Sequence, residues 1–396
     1  MPTHVLTDLS RDLHVNEFNI RSGDFPGTSA APWSVSKKTL RGGRREGVDL
    51  IEVDNGALAF SVVPTRGMGL WKGNYRGLNL GWKSPVTDGP VNPAFVNLGN
   101  WGGLGWLEGF DELLARCGLG NNGAPYNEGE RTYGLHGKIA NIPAHYVAVR
   151  AGDSPNGAII VEGHVDESML FSTQVRMVTT ITTLPGANAV TVRDEFHNLS
   201  DLPQEVQVLY HWNFGPPFLG EGSRFVAPLK TVVPRNARAV EGLAKFEVYD
   251  GPEPGFAEQV YFLELVGATA AGLGGSEPSP TLAMLCDRAS ATGVALRFDR
   301  EQLPAFTLWK NTGGLKSGYV TALEPGTNYP NPRPFEKERG RVVTLPPGGS
   351  HVAETTLEVL ATPEDVARVE AEIRALQGRV TPNIHQRPVE PFALEG

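Results

Sequence analysis

Four short stretches of this chain set polar side chains where strand-like runs give way to glycine or proline. Two of those side chains could exchange protons. His211 lies in LYHWNFGPP (209–217) and Glu324 in YVTALEPGTNYPNP (319–332). An imidazole titrates near neutrality and a glutamate is ionised there, so the two suit a reaction that adds a proton at one atom and removes one from another. A carboxylate directly after Thr-Ala-Leu would be costly if buried alone, so Glu324 is expected at a strand end facing a polar pocket or a partner. His136, in RTYGLHGKIANIPAHY (131–146), has a flanking glycine that permits close approach of a ligand or a second backbone. Arg66 ends the run VVPTRGMGLW (62–71), again beside a glycine. Each residue also has a plainer reading: a strand-end imidazole bonded to backbone, a rim glutamate, an arginine in a structural ion pair, or turn chemistry alone.

The elements that must position these residues read mostly as strands. Period-two alternation or β-branched enrichment marks 57–64, 157–165, 171–184, 188–198, 204–212, 259–267, 281–286, 293–299, 317–325 and 351–360. The segments 171–184 and 188–198 form a hairpin across PGAN, with Val175, Met177, Thr179 and Ile181 on one face and Val190, Val192, Asp194 and Phe196 on one face of the partner. In 204–212, Val206, Val208 and Tyr210 point one way and Gln207, Leu209 and His211 the other. Two helices are predicted. One is 106–118, with Leu107, Phe110, Leu113 and Leu114 on a stripe. The other is 362–378, capped by Thr362 and Pro363 and ended by Gly378. Glycine-rich 99–106 follows no clear strand and reads as a loop. The pattern predicts an all-β fold of antiparallel sheets packed face to face.

Composition narrows the function. The 396 residues are 40% hydrophobic and 20% charged, as in a soluble globular protein long enough for a sizeable core. The formal charge of −9 and the scattered Lys and Arg argue against a nucleic-acid surface. Cys117 and Cys286 have neither CxxC nor zinc spacing, and the nine histidines show no HxH or HExxH pattern, so no metal is expected. No apolar run would form a signal core or a span, which predicts a cytoplasmic protein without membrane contact.

The order GLHG (134–137), HWNFG (211–215) and LEPG (323–326) resembles the aldose 1-epimerase, or galactose mutarotase, superfamily. With PTRGMGL, CGLGNNG, GLHGKIANIPA, HWNFGPPFLGEG, EQVYF and YVTALEPGTNYP, the chain is most similar to that superfamily's branch known only as a domain of unknown function, over about residues 45 to 360. The resemblance implies a large antiparallel β-supersandwich with a few short helices and a sugar site on its concave face. It places an N-terminal extension with leading strands at 1–45, the supersandwich at 46–361, and a C-terminal helix and tail at 362–396 on the same domain. It implies a cofactor-free isomerase of mutarotase or epimerase type, with His211 as acid on the ring oxygen and Glu324 as base on the anomeric hydroxyl. His136 would polarise near the ring oxygen, and Arg66 and Asn213 would contact the substrate. Lys138 replaces a glycine of the mutarotase pattern and could meet an acidic, sulfated or phosphorylated sugar. Asn121 and Cys117 are further candidates near the site, Cys117 more simply a buried thiol. Glu258 could hold sugar hydroxyls, and Trp309 and Lys310 could offer a stacking face and a donor. The alternatives are a lyase or epimerase abstracting a proton next to a carbonyl, a non-catalytic carbohydrate-binding module, or a structural sandwich. A small carbohydrate is the expected partner, with a homodimer open.

Overall fold

The computed structural model describes residues 2–25, 31–152, 157–268 and 278–394. Strict alternation of buried and partly buried residues runs through Gln174–Thr183 and Ala189–Asn198. Those strands pair antiparallel, Val175 opposite Asn198 and Ile181 opposite Val192. Gly186 closes the turn at φ +75, a value that glycine adopts without strain.

Two sheets of ten and fourteen strands carry the fold among the described residues. The hairpin lies in the ten-stranded sheet beside Ser350–Leu360 and Ile159–Ser168. Five strands at the middle of the larger sheet matter most for function: β1 (Leu114–Leu119), β2 (Gln204–Phe214), β3 (Gln259–Leu265), β4 (Ala305–Thr312) and β5 (Tyr319–Gly326). Their spatial order is β3-β4-β5-β2-β1, all neighbours antiparallel. Val206, Val208, Tyr210, Trp212 and Phe214 of β2 face the other sheet, where Met177, Val192, Phe196 and Leu357 complete one apolar core. Burying this interior is the main favourable term holding the sheets together.

The first residues contribute to both sheets. Thr3–Asp8 pairs with Tyr146–Arg150, while Glu17–Arg21 and Ser34–Thr39 continue the larger sheet beyond Asp49–Asp54. Helix α1 (Pro363–Gln377) starts where Thr362 accepts from the Asp365 N–H at 3.2 Å. It packs Val366, Val369 and Ile373 onto Leu282, Met284 and Cys286.

The helix predicted at 106–118 is not formed. The chain makes a single 3-10 stretch, Gly105–Gly109, and then enters β1. Leu107 is exposed, and Phe110 belongs to a different apolar cluster from Leu113 and Leu114. All six residues of β1 are buried, so the run LARCGL, apolar but for Arg116, is covered on both faces as a central strand is. Periodicity cannot separate such a run from a buried helix.

Candidate functional site

Cross-strand register builds the site. β2 pairs with β5 as Trp212 to Leu323 and Asn213 to Ala322, which sets His211 opposite Glu324. β5 pairs with β4 as Glu324 to Thr307, and β2 with β1 as His211 to Ala115. Thr307, Glu324, His211 and Ala115 therefore form one row across four strands. Two residues along, on the same face, runs a second row of Val260, Trp309, Ala322 and Asn213. This face looks away from the main core and floors a cavity of about 380 Å³, within the rough 300–1,000 Å³ of small-molecule sites. His136, Trp106, Phe110 and Leu135 wall it.

His211 and Glu324 are 4% and 2% exposed, and Nε2 stands 3.1 Å from Oε1. The pair lies off the line of a hydrogen bond, so Glu324 Oε1 has no formal partner, and neither has Thr307 Oγ1 in the same row. Buried polar atoms are nearly always satisfied, which leaves these two free to bond a ligand, the hydroxyl as donor or acceptor.

Asn213 fixes the imidazole. Its Nδ2 donates to the carbonyls of Glu112 and His211, at 3.0 and 2.8 Å. Its Oδ1 must then accept, and it does so from His211 Nδ1 at 2.6 Å. The Nε2 of neutral His211 is consequently an acceptor, beside Glu324 but off the line of a bond to it. Burial pushes the imidazole well below its usual range, and nearby His136 adds to this against the Asn213 contact. Burial likewise pushes the Glu324 carboxyl well above its usual range, reinforced by Glu258 and opposed by Arg235. Both directions favour the uncharged forms, so a proton shared by the pair rests on the carboxyl and not on the imidazole.

His136 occupies the left-handed region at φ +58, and its Nδ1 donates to the Asn122 carbonyl at 2.9 Å. Burial lowers it to about 4. It is thus neutral with Nε2 as an acceptor, and it suits a hydroxyl better than a ring oxygen. Trp106, Phe110 and Trp309 surround His211 at centroid distances of 6.1, 5.1 and 5.3 Å. At the mouth, Glu258 accepts from Arg235 Nη2 and Trp309 Nε1, both at 2.6 Å. Burial raises Glu258, but Arg235 and the Trp309 bond outweigh it and hold the carboxylate below its usual range.

The structure separates the remaining candidates from this cavity. Arg66 is 1% exposed, with Nε bonded to Glu112 Oε1 at 2.5 Å and Nη1 to the Val91 carbonyl and Asn141, so a structural ion pair replaces the expected hydroxyl contact. Lys310 points through the sheet, donating to the Phe246 and Val248 carbonyls and lying over the Tyr249 ring, because it alternates with Trp309. Asn213 is wholly buried and touches His211 rather than open space. Lys138 and Asn121 line a different cavity. Cys117 is a free thiol buried beside its cross-strand neighbour Leu209. Sequence reasoning missed Arg235, Thr307, Trp106 and Phe110. Only the register with Glu324 could have singled out Thr307, and strand order is not written in periodicity.

The family model described as Domain of unknown function (DUF4432) matches residues 45–359. Among solved structures, a protein from Klebsiella pneumoniae subsp. pneumoniae, provisionally named an aldose 1-epimerase, is 36% identical and superposes with TM-score 0.93 over 98% of this chain and 99% of that one. A galactose mutarotase-like protein from Clostridium acetobutylicum is 15% identical with TM-score 0.55, covering 83% of this chain and 98% of that one. A galactose mutarotase related enzyme from Lactobacillus acidophilus is 13% identical with TM-score 0.51, covering 79% and 98%. The last two share the fold. No curated protein matches. No helix among the described residues is long and apolar enough to cross a membrane.

Proposed function

This chain belongs to the DUF4432 family, within the aldose 1-epimerase (galactose mutarotase)-like superfamily, and on that premise we propose that it interconverts the anomers of a sugar by acid/base catalysis between His211 and Glu324. The observation that carries this is the His211 Nε2–Glu324 Oε1 approach of 3.1 Å on a cavity floor, with the carboxyl oxygen unpartnered.

The chemistry balances with the single proton that the pair holds. A bound sugar presents its anomeric hydroxyl to Glu324 and its ring oxygen to His211. Hydroxyl donors on Oε1 favour the carboxylate, and the resting proton moves to Nε2. Glu324 takes the O1 proton as His211 protonates the ring oxygen, the C1–O5 bond breaks, and an open-chain aldehyde forms. After rotation about C1–C2, the reverse transfers close the ring on the other face. The pair again holds one proton, and the 3.1 Å contact returns it to its starting residue. Trp309 offers an apolar face to the ring, and His136 Nε2 accepts a hydroxyl. No step calls on a cofactor. Lys138, which would favour carbanion chemistry, lines the other cavity, and no lysine is among the described residues of this wall.

Proton NMR in D2O over neutral, acidic and sulfated sugars tests this. Wild type should accelerate anomer exchange for at least one sugar without placing deuterium on carbon. Glu324→Gln should slow it by at least about 100-fold while binding is kept. Exchange undiminished in the variant rejects the base; deuterium on carbon supports the proton-abstraction alternative. Tight binding without exchange in the wild type would make this a binding module.

A further inference from the structure

We propose that the cavity behind the Gly134–Gly137 loop is a second ligand site, for a small polyhydroxylated anion of the sugar-acid or sugar-phosphate class. The loop separates two chambers. Leu135 and His136 line the catalytic one, whereas Gly134, Gly137 and Lys138 line a cavity of about 340 Å³ that shares no lining residue with it. That volume is near the lower end of small-molecule sites, roughly 300 Å³, and suits one monosaccharide.

Its polar groups are built in. Glu167 and Asn121 are 8% and 3% exposed. The Leu119 and Gly120 N–H groups donate to the Glu167 oxygens at 2.7 and 3.2 Å, and Asn121 Nδ2 donates to the Gly134 carbonyl at 2.7 Å. Each Glu167 oxygen keeps a lone pair for a ligand hydroxyl. Thr173 adds a hydroxyl and Met169 an apolar flank.

The cations select the charge. Lys138 and Arg131 both line the cavity. The chain has 44 acidic residues against 35 Lys and Arg, and most of its cations have found a carboxylate. Among the described residues, Lys138 Nζ makes no ion pair, and Arg131 only donates to the Phe171 carbonyl at 3.3 Å. Glu167 is the single acid among the described residues of the cavity wall, and its oxygens are already held by backbone N–H groups. Two unpaired cations over a buried hydroxyl acceptor match a ligand carrying an anionic group and hydroxyls.

Calorimetry on full-length Glu324→Gln, with D-galacturonate and D-glucose 6-phosphate as probes and neutral D-galactose as control, tests this apart from turnover. At least one anion should bind saturably and more tightly than galactose. Adding Arg131→Ala and Lys138→Ala together should weaken it by at least about tenfold, as loss of charge-assisted bonds does. Lys138→Glu should do the same with an unchanged melting temperature, since Lys138 is exposed. The two probes separate carboxylate from phosphate recognition. Saturable binding of neither anion, binding no tighter than galactose, or binding indifferent to both variants would overturn the proposal.

Discussion

Asn213 determines which nitrogen of His211 carries a proton, since its amide is locked by two carbonyls and only its oxygen faces Nδ1. Asn213→Asp would set a carboxylate there and raise the imidazole. Because burial holds the His211 imidazole well below its usual value of 6.5, it gains no charge as pH falls through that value. A pH–rate profile of kcat/KM should stay flat there in the wild type, and Asn213→Asp should move its acid limb to higher pH. A merely structural role for Asn213 would lower the rate without moving that limb. His136 gives a stability counterpart. It titrates near 4 when folded and near 6.5 when unfolded, so below 6.5 the unfolded chain takes up a proton that the folded one refuses. Stability should fall between about pH 6.5 and 4, by up to about 1.4 kcal/mol per unit from this residue. His136→Asn, which tolerates the left-handed backbone, should flatten that limb in calorimetric melts. At this scale the sequence displayed the residue types. Their identities and flanking glycines were legible, but the side of the sheet taken by Lys310, and the carboxylate claimed by Arg66, were not.

At the scale of elements, strands were legible wherever one face is solvated and alternation survives, as in Gln174–Thr183. β1 was misread because burial on both faces erases alternation. The loop carrying His136 depends on one conformation. Gly137 sits at φ +69, and a Cβ there would stand 2.1 Å from the Asn121 carbonyl and 2.3 Å from that of Gly118. Both contacts are backbone, so neither can yield cheaply. Gly137→Ala should cost about 3 kcal/mol or more, read by denaturant unfolding, and should shift His136 out of the cavity wall. Periodicity can place Glu324 and His211 on strands. It cannot say that β5 lies beside β2, although that neighbour relation creates their contact.

For the whole molecule, the two sheets are joined under the site by a buried polar staple. Arg116 of β1 donates to both oxygens of Asp194, from Nε at 3.0 Å and Nη2 at 3.1 Å. Thr179 and Tyr210 donate to the same carboxylate at 2.6 and 2.7 Å. The sequence showed Asp194 on the apolar face of its strand, an anomaly that this partner set explains. Asp194→Leu alone should destabilise by about 3–5 kcal/mol, because it strands a buried guanidinium, and Arg116→Leu with Asp194→Leu should recover much of that in the same unfolding assay. The sandwich itself was readable from strand spacing and motif order, whereas the cavity was not, since it arises from two sheet rows meeting loops distant in sequence. A crystal structure of Glu324→Gln with the sugar that exchanges fastest would show whether residues 211 and 324 bracket C1 and the ring oxygen. The anomeric oxygen should lie within hydrogen-bond reach of residue 324, with the ring oxygen facing His211 Nε2. A sugar bound with C1 turned away from both, or seated outside this cavity, would contradict it.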